Sequence, residues 1–240
     1  QPEADQELAL GKLSRQTEPM RVEAALKSDP AVVVLGDPGA GKSTLLKVLA
    51  LALADPQAGG SLPLPIVLPL NAYARRLQQG QLSLGQFLGD YYASRQQKLR
   101  QVGALFEDAL AKKQAVILLD GLDEVEADRQ YLLRPVQYFV AELIPLPADD
   151  PAAPPVIGNR VVVTSRIVGY DEAPLAGRQW RTYTLTDFEP DDIEQFVDNW
   201  TLAFTVSVQG DTEPARQKAA RERDELLAAI NSRPSVKRLA

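Results

Sequence analysis

Short β-branched runs alternate along the chain with stretches of helical period. Ala31-Val32-Val33-Val34-Leu35 is an unbroken apolar run between Pro30 and Gly36, and it predicts a buried strand. From Ser43 to Ala54 the period changes. Leu45, Val48, Leu49 and Ala52 fall at i, i+3, i+4 and i+7, with Leu46, Ala50 and Leu53 between them, so the pattern predicts a helix that is apolar on most sides and therefore buried. Leu64 to Leu70 reads as a second strand between prolines. Ser83 opens a helix, with Gln86 three residues on as in a capping box and Leu84, Phe87, Leu88 and Tyr91 as its stripe. Val102, Leu105, Phe106 and Ala109 mark a further helix, and Lys112 and Lys113 suit its C-terminal end.

Ala115 to Leu119 is the third strand. A helix is expected from about Pro135, through Val136, Phe139, Val140 and Leu143. The Pro/Ala/Asp-rich stretch from Pro145 to Pro155 reads as a loop. Val161-Val162-Val163 and Arg181 to Leu185 supply the fourth and fifth strands. Beyond them the character turns helical. Pro190 suits a first turn, Ile193, Phe196, Val197 and Trp200 make one face, and a last helix runs from about Glu213 to Ile230. Strands alternating with helices imply an α/β fold with a doubly wound parallel sheet of five strands flanked by helices. Three parts are expected: a helical lead-in over 1–27, the α/β core over 28–186, and the start of a helical subdomain over 187–240.

Composition narrows the chemistry. The 240 residues are 45% apolar, enough for one sizeable core. Cysteine and histidine are both absent, which excludes disulfides, Cys- or His-ligated zinc and Ser-His-Asp catalysis within these residues. The formal charge of −6 comes without a basic run, so a broad electrostatic grip on nucleic acid is not expected. No apolar stretch is long enough to span a membrane and no secretory signal is visible, which suits a cytoplasmic location. A start at Gln1 and a stop after Ala240 suggest a piece of a larger protein.

One loop carries a specific signal. Gly36-Asp37-Pro38-Gly39-Ala40-Gly41-Lys42-Ser43 satisfies G-x-x-x-x-G-K-[ST] between a predicted strand and a predicted helix, the context this phosphate-binding loop requires. Its glycines let backbone N–H groups wrap around phosphate oxygens, and the helix that follows adds its positive dipole end. Lys42 reaches the β- and γ-phosphates of a nucleoside triphosphate, the Ser43 hydroxyl is a ligand for Mg²⁺, and Thr44 supports the α-phosphate side.

Two strand tips add to it. Ala115 to Asp120 ends an apolar run in a carboxylate, which is costly at a buried tip without a partner and is placed to hold Mg²⁺. Asp123 and Glu124 follow. Either can polarise an attacking water; Glu124 is the preferred base, and helix N-terminal acids are the plain alternative for one of the pair. Arg166 follows Val161-Val162-Val163-Thr164-Ser165 at the end of a sheet where ligands bind, and can reach a γ-phosphate. Its bland alternative is a local ion pair with Asp171 or Glu172.

These segments resemble a known family. GDPGAGKST, LLDGLDEV, VVVTSRIVGYDEAPL and FEPDDIEQFVDNW, in this order and spacing from about Arg21 onwards, look like the NACHT domains of STAND-class signalling NTPases, and the TSRxxGY segment looks like bacterial members. The resemblance implies a P-loop core with a helical subdomain, and ATP or ADP with Mg²⁺ as a switch with slow hydrolysis. It also implies self-association licensed by ATP, and attached sensor and effector domains in an innate-immune or anti-phage protein. By matching position, Lys42 and Ser43 would be the phosphate and Mg²⁺ residues, Asp120 the metal acid and Arg166 the sensor arginine. Such domains continue into an Asn-Pro-Leu-Leu-Leu-like segment and a winged helix with a phosphate-sensing histidine; the chain ends at Ala240 before either.

Other readings fit less of the sequence. A GTPase needs an N/T-K-x-D segment, which is missing. An ABC ATPase needs LSGGQ, and Ser83-Leu84-Gly85-Gln86 is better explained as a helix cap. An AAA+ motor places Glu directly after the metal Asp, where Gly121 stands here. A scaffold that binds nucleotide without hydrolysis would not need Asp123 and Glu124.

Overall fold

The computed structural model describes residues 19–55, 63–80, 82–124, 129–144, 158–172, 174–175 and 177–232. The expected loop from Pro145 to Pro155, and residues 1–18 of the lead-in, lie outside them. The chain divides into two units, the first ending at Leu185.

In the first unit five strands form one parallel sheet in the order β2-β3-β4-β1-β5. They are β1 (Ala31–Leu35), β2 (Leu64–Pro69), β3 (Ala115–Asp120), β4 (Arg160–Ser165) and β5 (Trp180–Thr184). The three central strands are buried along nearly their whole length, as their unbroken apolar runs require. Side chains of β1 alternate between two cores. Ala31, Val33 and Leu35 join Ile66, Ile117, Leu119 and Val163 on one face, and Val32 and Val34 join Val116, Leu118 and Val162 on the other.

The second of these faces is covered by α1 (Val22–Ser28) through Leu26 and by α2 (Lys42–Leu53) through Leu46 and Leu49. Among the helices that cover the first are α3 (Leu70–Leu77), α4 (Leu84–Arg95), α5 (Val102–Ala111) and α6 (Arg129–Leu143). The capping box of α4 is present, with the Ser83 hydroxyl accepting from the Gln86 N–H and the Gln86 side chain accepting from the Ser83 N–H. β2 tolerates Pro65 and Pro69 because it is an edge strand, where half the ladder donors are not needed.

Three expectations change, and one element is added. α2 is buried only along Leu46 and Leu49; Val48 is 56% and Leu51 72% exposed, because a helix lying on a sheet covers one stripe and not its whole circumference. α6 begins at Arg129, with Pro135 inside it and not at its start. α3 begins directly where β2 ends, so the second strand stops at Pro69. A short helix, α7 (Ile167–Glu172), follows Arg166.

The second unit is a helical hairpin of α8 (Pro190–Gln209) and α9 (Glu213–Ser232). Glu189 caps α8 in a capping box with Asp192, and Pro190 occupies the first turn. α8 buries Ile193, Val197, Thr201 and Thr205, and α9 buries Ala215 and Ala219. Phe196 and Trp200, expected on the buried face, stand exposed, and Trp200 stacks on Phe204 at 5.5 Å between ring centroids. The buried stripe of α8 lies one position further round, with two threonines that the apolar pattern does not mark. Thr201 meets its own needs by donating to the Val197 carbonyl at 2.8 Å.

Candidate functional site

The strand order decides what meets what. β4 lies between β1 and β3, so the loop after β1, the acids after β3 and the arginine after β4 issue from three neighbouring strands at one edge of the sheet. Register keeps the tips level. Leu35 pairs with Ser165, Leu119 with Val163 and Pro69 with Asp120. The Gly36 N–H carries the β1–β4 ladder one step further by donating to the Ser165 carbonyl.

The loop from Gly36 to Ser43 turns sharply between β1 and α2. Gly39 and Gly41 have φ of 86° and 84°, the left-handed region in which a Cβ is strained. A Cβ built on either meets no protein atom within 4 Å, so both glycines border open space and not the core. Gly36 is different: its added Cβ would lie 3.2 Å from the Ala40 Cβ, so this glycine serves the closeness of the turn itself. Lys42 Nζ donates to the carbonyls of Gly36 and Asp37 at 2.7 and 2.9 Å, which lays its ammonium across the loop. Asp37, Pro38, Ala40, Ser43 and Thr44 are exposed. α2 starts from Gly41. It has no side-chain cap and no acid in its first turn, which is also true of α3 and α5, but α2 alone of these follows the glycine loop. Its dipole end is left for an outside anion.

Asp120 is half-buried at the tip of β3. Its Oδ1 accepts from the Thr164 hydroxyl at 2.6 Å, and the Thr164 Oγ1 in turn accepts from the Gly121 N–H at 2.9 Å. The carboxylate at the strand tip thus has the partner that its position demands. Gly121 turns the chain with φ of 77° into a 3₁₀ turn over Leu122–Glu124.

The two acids of that turn have different surroundings. The Asp123 side chain is 5% exposed. Its Oδ1 accepts from the Arg166 backbone N–H at 2.8 Å, and its Oδ2 pairs with Arg166 Nε at 3.0 Å. Glu124 is exposed, and its Oε2 accepts from Asn71 Nδ2 at 3.3 Å. Arg166 therefore pairs with Asp123 across two strand tips, where its bland reading has a local ion pair. Sequence reasoning missed Thr164 and Asn71. Thr164 was visible as a fully buried hydroxyl at the end of an otherwise apolar strand; Asn71 had no signal, because only the pairing of β2 with β3 places it beside Glu124.

The residues present fit a Mg²⁺–nucleotide. Among the described residues no group of three or more acids could hold a metal ion alone. The oxygen donors that would meet a Mg²⁺–nucleotide are the exposed Ser43 hydroxyl beside the loop and the Asp120 carboxylate at the tip of β3. The open left-handed glycines and the start of α2 would form the phosphate side of such a site.

A five-stranded parallel sheet flanked by helices, with this loop between its first strand and helix, defines a P-loop nucleoside triphosphatase domain. The chain belongs to the NACHT family: the family model for the NACHT domain matches residues 30–203. No curated protein matches in sequence. Among solved structures, the chain is similar to a signal transduction ATPase with numerous domains (STAND) carrying a tetratricopeptide repeat sensor, from Pyrococcus horikoshii. The identity is 16% and the TM-score 0.39, over 90% of this chain and 28% of that one. The chain thus spans less than a third of that protein's length. Among the described residues no helix is long and apolar enough to cross a membrane.

Proposed function

We propose that this NACHT domain is the nucleotide switch of a STAND-type signalling protein of innate-immune, anti-phage character. It binds ATP or ADP with Mg²⁺ in the cytoplasm, hydrolyses ATP slowly, and thereby controls self-association of a protein that also carries sensor and effector domains. One observation carries this reading: the phosphate loop, Asp120 and the Asp123–Arg166 pair issue from three adjacent strand tips, so one arginine is tied directly to the acidic turn.

The residues divide the work as follows. Backbone N–H groups of Asp37, Gly39 and Gly41 wrap the phosphates, while Gly36 and Ala40, whose N–H groups are held by the Ser165 and Asp37 carbonyls, shape the turn with Pro38. Lys42 turns its ammonium from its own loop carbonyls to the β- and γ-phosphates. Thr44 serves the α-phosphate side. Ser43 and Asp120 would hold Mg²⁺, with Thr164 fixing the orientation of Asp120. When bound, Mg²⁺ offsets the charge on the β- and γ-phosphate oxygens.

Glu124 is the better base. Its carboxylate is exposed, whereas both oxygens of Asp123 are engaged by Arg166. Asp123 instead aims Arg166, whose side chain is 53% exposed and would exchange this pairing for a γ-phosphate. Presence or absence of that phosphate then changes the Asp123–Arg166 pairing, which is how the site reads ATP against ADP.

Turnover, ATP and ADP affinities and nucleotide-dependent sizing of the longest available form of the protein test the proposal together. A switch hydrolyses far below about 1 s⁻¹ and changes assembly state with nucleotide, while a motor cycles at ordinary enzyme rates. Fast turnover with no change in assembly would overturn the switch.

A further inference from the structure

The two acids that follow β3 are pulled to opposite sides of that strand. β3 has β4 on one side and β2 on the other, and the phosphate loop lies beyond β4, at the end of β1. Asp123 is gripped from the β4 side by Arg166. Glu124 is gripped from the β2 side by Asn71, the second residue of α3. Because Pro69 pairs with Asp120, the first turn of α3 stands beside the 3₁₀ turn, and this brings together two residues 53 apart in sequence.

Gly121 provides the seat. A Cβ built on it would lie 2.9 Å from Glu124 Cδ and 3.0 Å from Oε2, closer than packed atoms approach. The Glu124 carboxylate can fold back over the turn only because residue 121 has no side chain. A general base must come within hydrogen-bond reach of the water it activates. In this arrangement the Glu124 carboxylate lies against Gly121 and spends one oxygen on an amide donor on the side away from the phosphates.

We infer that Asn71 is a positioning residue that holds Glu124 back from the phosphate site and so restrains ATP hydrolysis. The inference rests on the reading of Glu124 as the base. It gives slow hydrolysis a local physical cause: the base is restrained by one side-chain amide and is not intrinsically weak.

Single-turnover hydrolysis with protein in excess over ATP, together with ATP titrations, tests this in four proteins: wild type, Asn71→Ala, Glu124→Gln and the double variant. Asn71→Ala should raise the hydrolysis rate constant by about three- to tenfold, the scale of one ordinary hydrogen bond, since the Asn71–Glu124 bond is long and exposed. Its ATP affinity should stay within about twofold, since the change acts on the chemical step and not on uniform binding. The rise should vanish in the double variant. Asn71→Asp is the second probe. It puts a like charge against Glu124, suits the first turn of a helix, and should accelerate hydrolysis as well. An unchanged or slower rate in both Asn71 variants, with ATP affinity intact and Glu124→Gln inactive, would overturn the restraint alone. A wild-type rate in Glu124→Gln would overturn the base assignment, and the restraint with it.

Discussion

Arg166 holds Asp123 twice, by its backbone N–H at 2.8 Å and its guanidinium Nε at 3.0 Å, and the carboxylate so held is almost fully buried. This joins the acidic turn after β3 to the tip of β4. A buried carboxylate that loses a charged partner keeps its desolvation cost, so the pair is structural whatever else it does.

Asp123→Ala and Glu124→Ala should therefore fail in different ways. Asp123→Ala removes the anchor of the Arg166 N–H and guanidinium and should lower folding stability by about 1–3 kcal/mol. Glu124→Ala removes an exposed group with one long hydrogen bond and should change stability by less than about 0.5 kcal/mol while abolishing turnover. Chemical denaturation beside a hydrolysis assay separates them. Full turnover in Glu124→Ala would overturn its assignment as the base.

Thr164→Val keeps the shape of a fully buried side chain and removes its hydroxyl. Two bonds go with it: the Gly121 N–H loses its acceptor and Asp120 loses a 2.6 Å donor. An orphaned buried N–H costs about 1–3 kcal/mol, so the variant should be measurably less stable. An Asp120 without its orienting partner should also bind Mg²⁺–ATP about 10-fold or more weakly, the range seen when groups behind a metal ligand are removed. Affinity for ATP without Mg²⁺ should hardly move, and titrations with and without Mg²⁺ check this.

The sequence shows much of this design and conceals the rest for a physical reason. The β-branched runs at Ala31 to Leu35 and Val161 to Val163 announce central strands, because a strand buried on both faces must be apolar throughout. The loop from Gly36 to Ser43 is legible because phosphate wrapping demands glycine at fixed positions. The sequence does not show strand order. Nothing local to Arg166 says that β4 lies beside β3, so local spacing points to Asp171 or Glu172, while Asp123, 43 residues away, is the partner the structure shows. Asn71 escapes for the same reason. Apolar period also misleads where a helix has more apolar residues than its packing face can take, as with Val48 and Leu51 in α2.

Glycines of the two turns should respond differently to alanine. Gly121→Ala meets both a left-handed φ of 77° and the Glu124 carboxylate 2.9 Å away, so it should cost about 1–2 kcal/mol for the backbone and displace Glu124 as well. Gly41→Ala faces the same backbone penalty, about 1–2 kcal/mol, with open space around its Cβ. The fold should pay only for backbone strain, whereas ATP affinity should fall much further, because the Cβ points into room otherwise left for phosphate. Denaturation and nucleotide titration on both variants compare the two losses. Equal losses of stability and affinity at Gly41 would mean that the loop is a turn and not a cradle.

Lys42→Ala is the sharpest test of the loop. The ammonium bonds the carbonyls of Gly36 and Asp37 from a half-exposed position, so its removal unsatisfies nothing deeply buried and should leave stability within about 0.5 kcal/mol. Binding should behave otherwise. A charged hydrogen bond contributes about 1.5–3 kcal/mol, so losing the contact to the β- and γ-phosphates should weaken ATP by about 10- to 100-fold. AMP, which offers neither phosphate, should bind the variant and the wild type alike. Calorimetric titrations of ATP, ADP and AMP read these numbers directly. An ATP affinity unchanged in Lys42→Ala would remove the phosphate loop, and with it the nucleotide switch built on it.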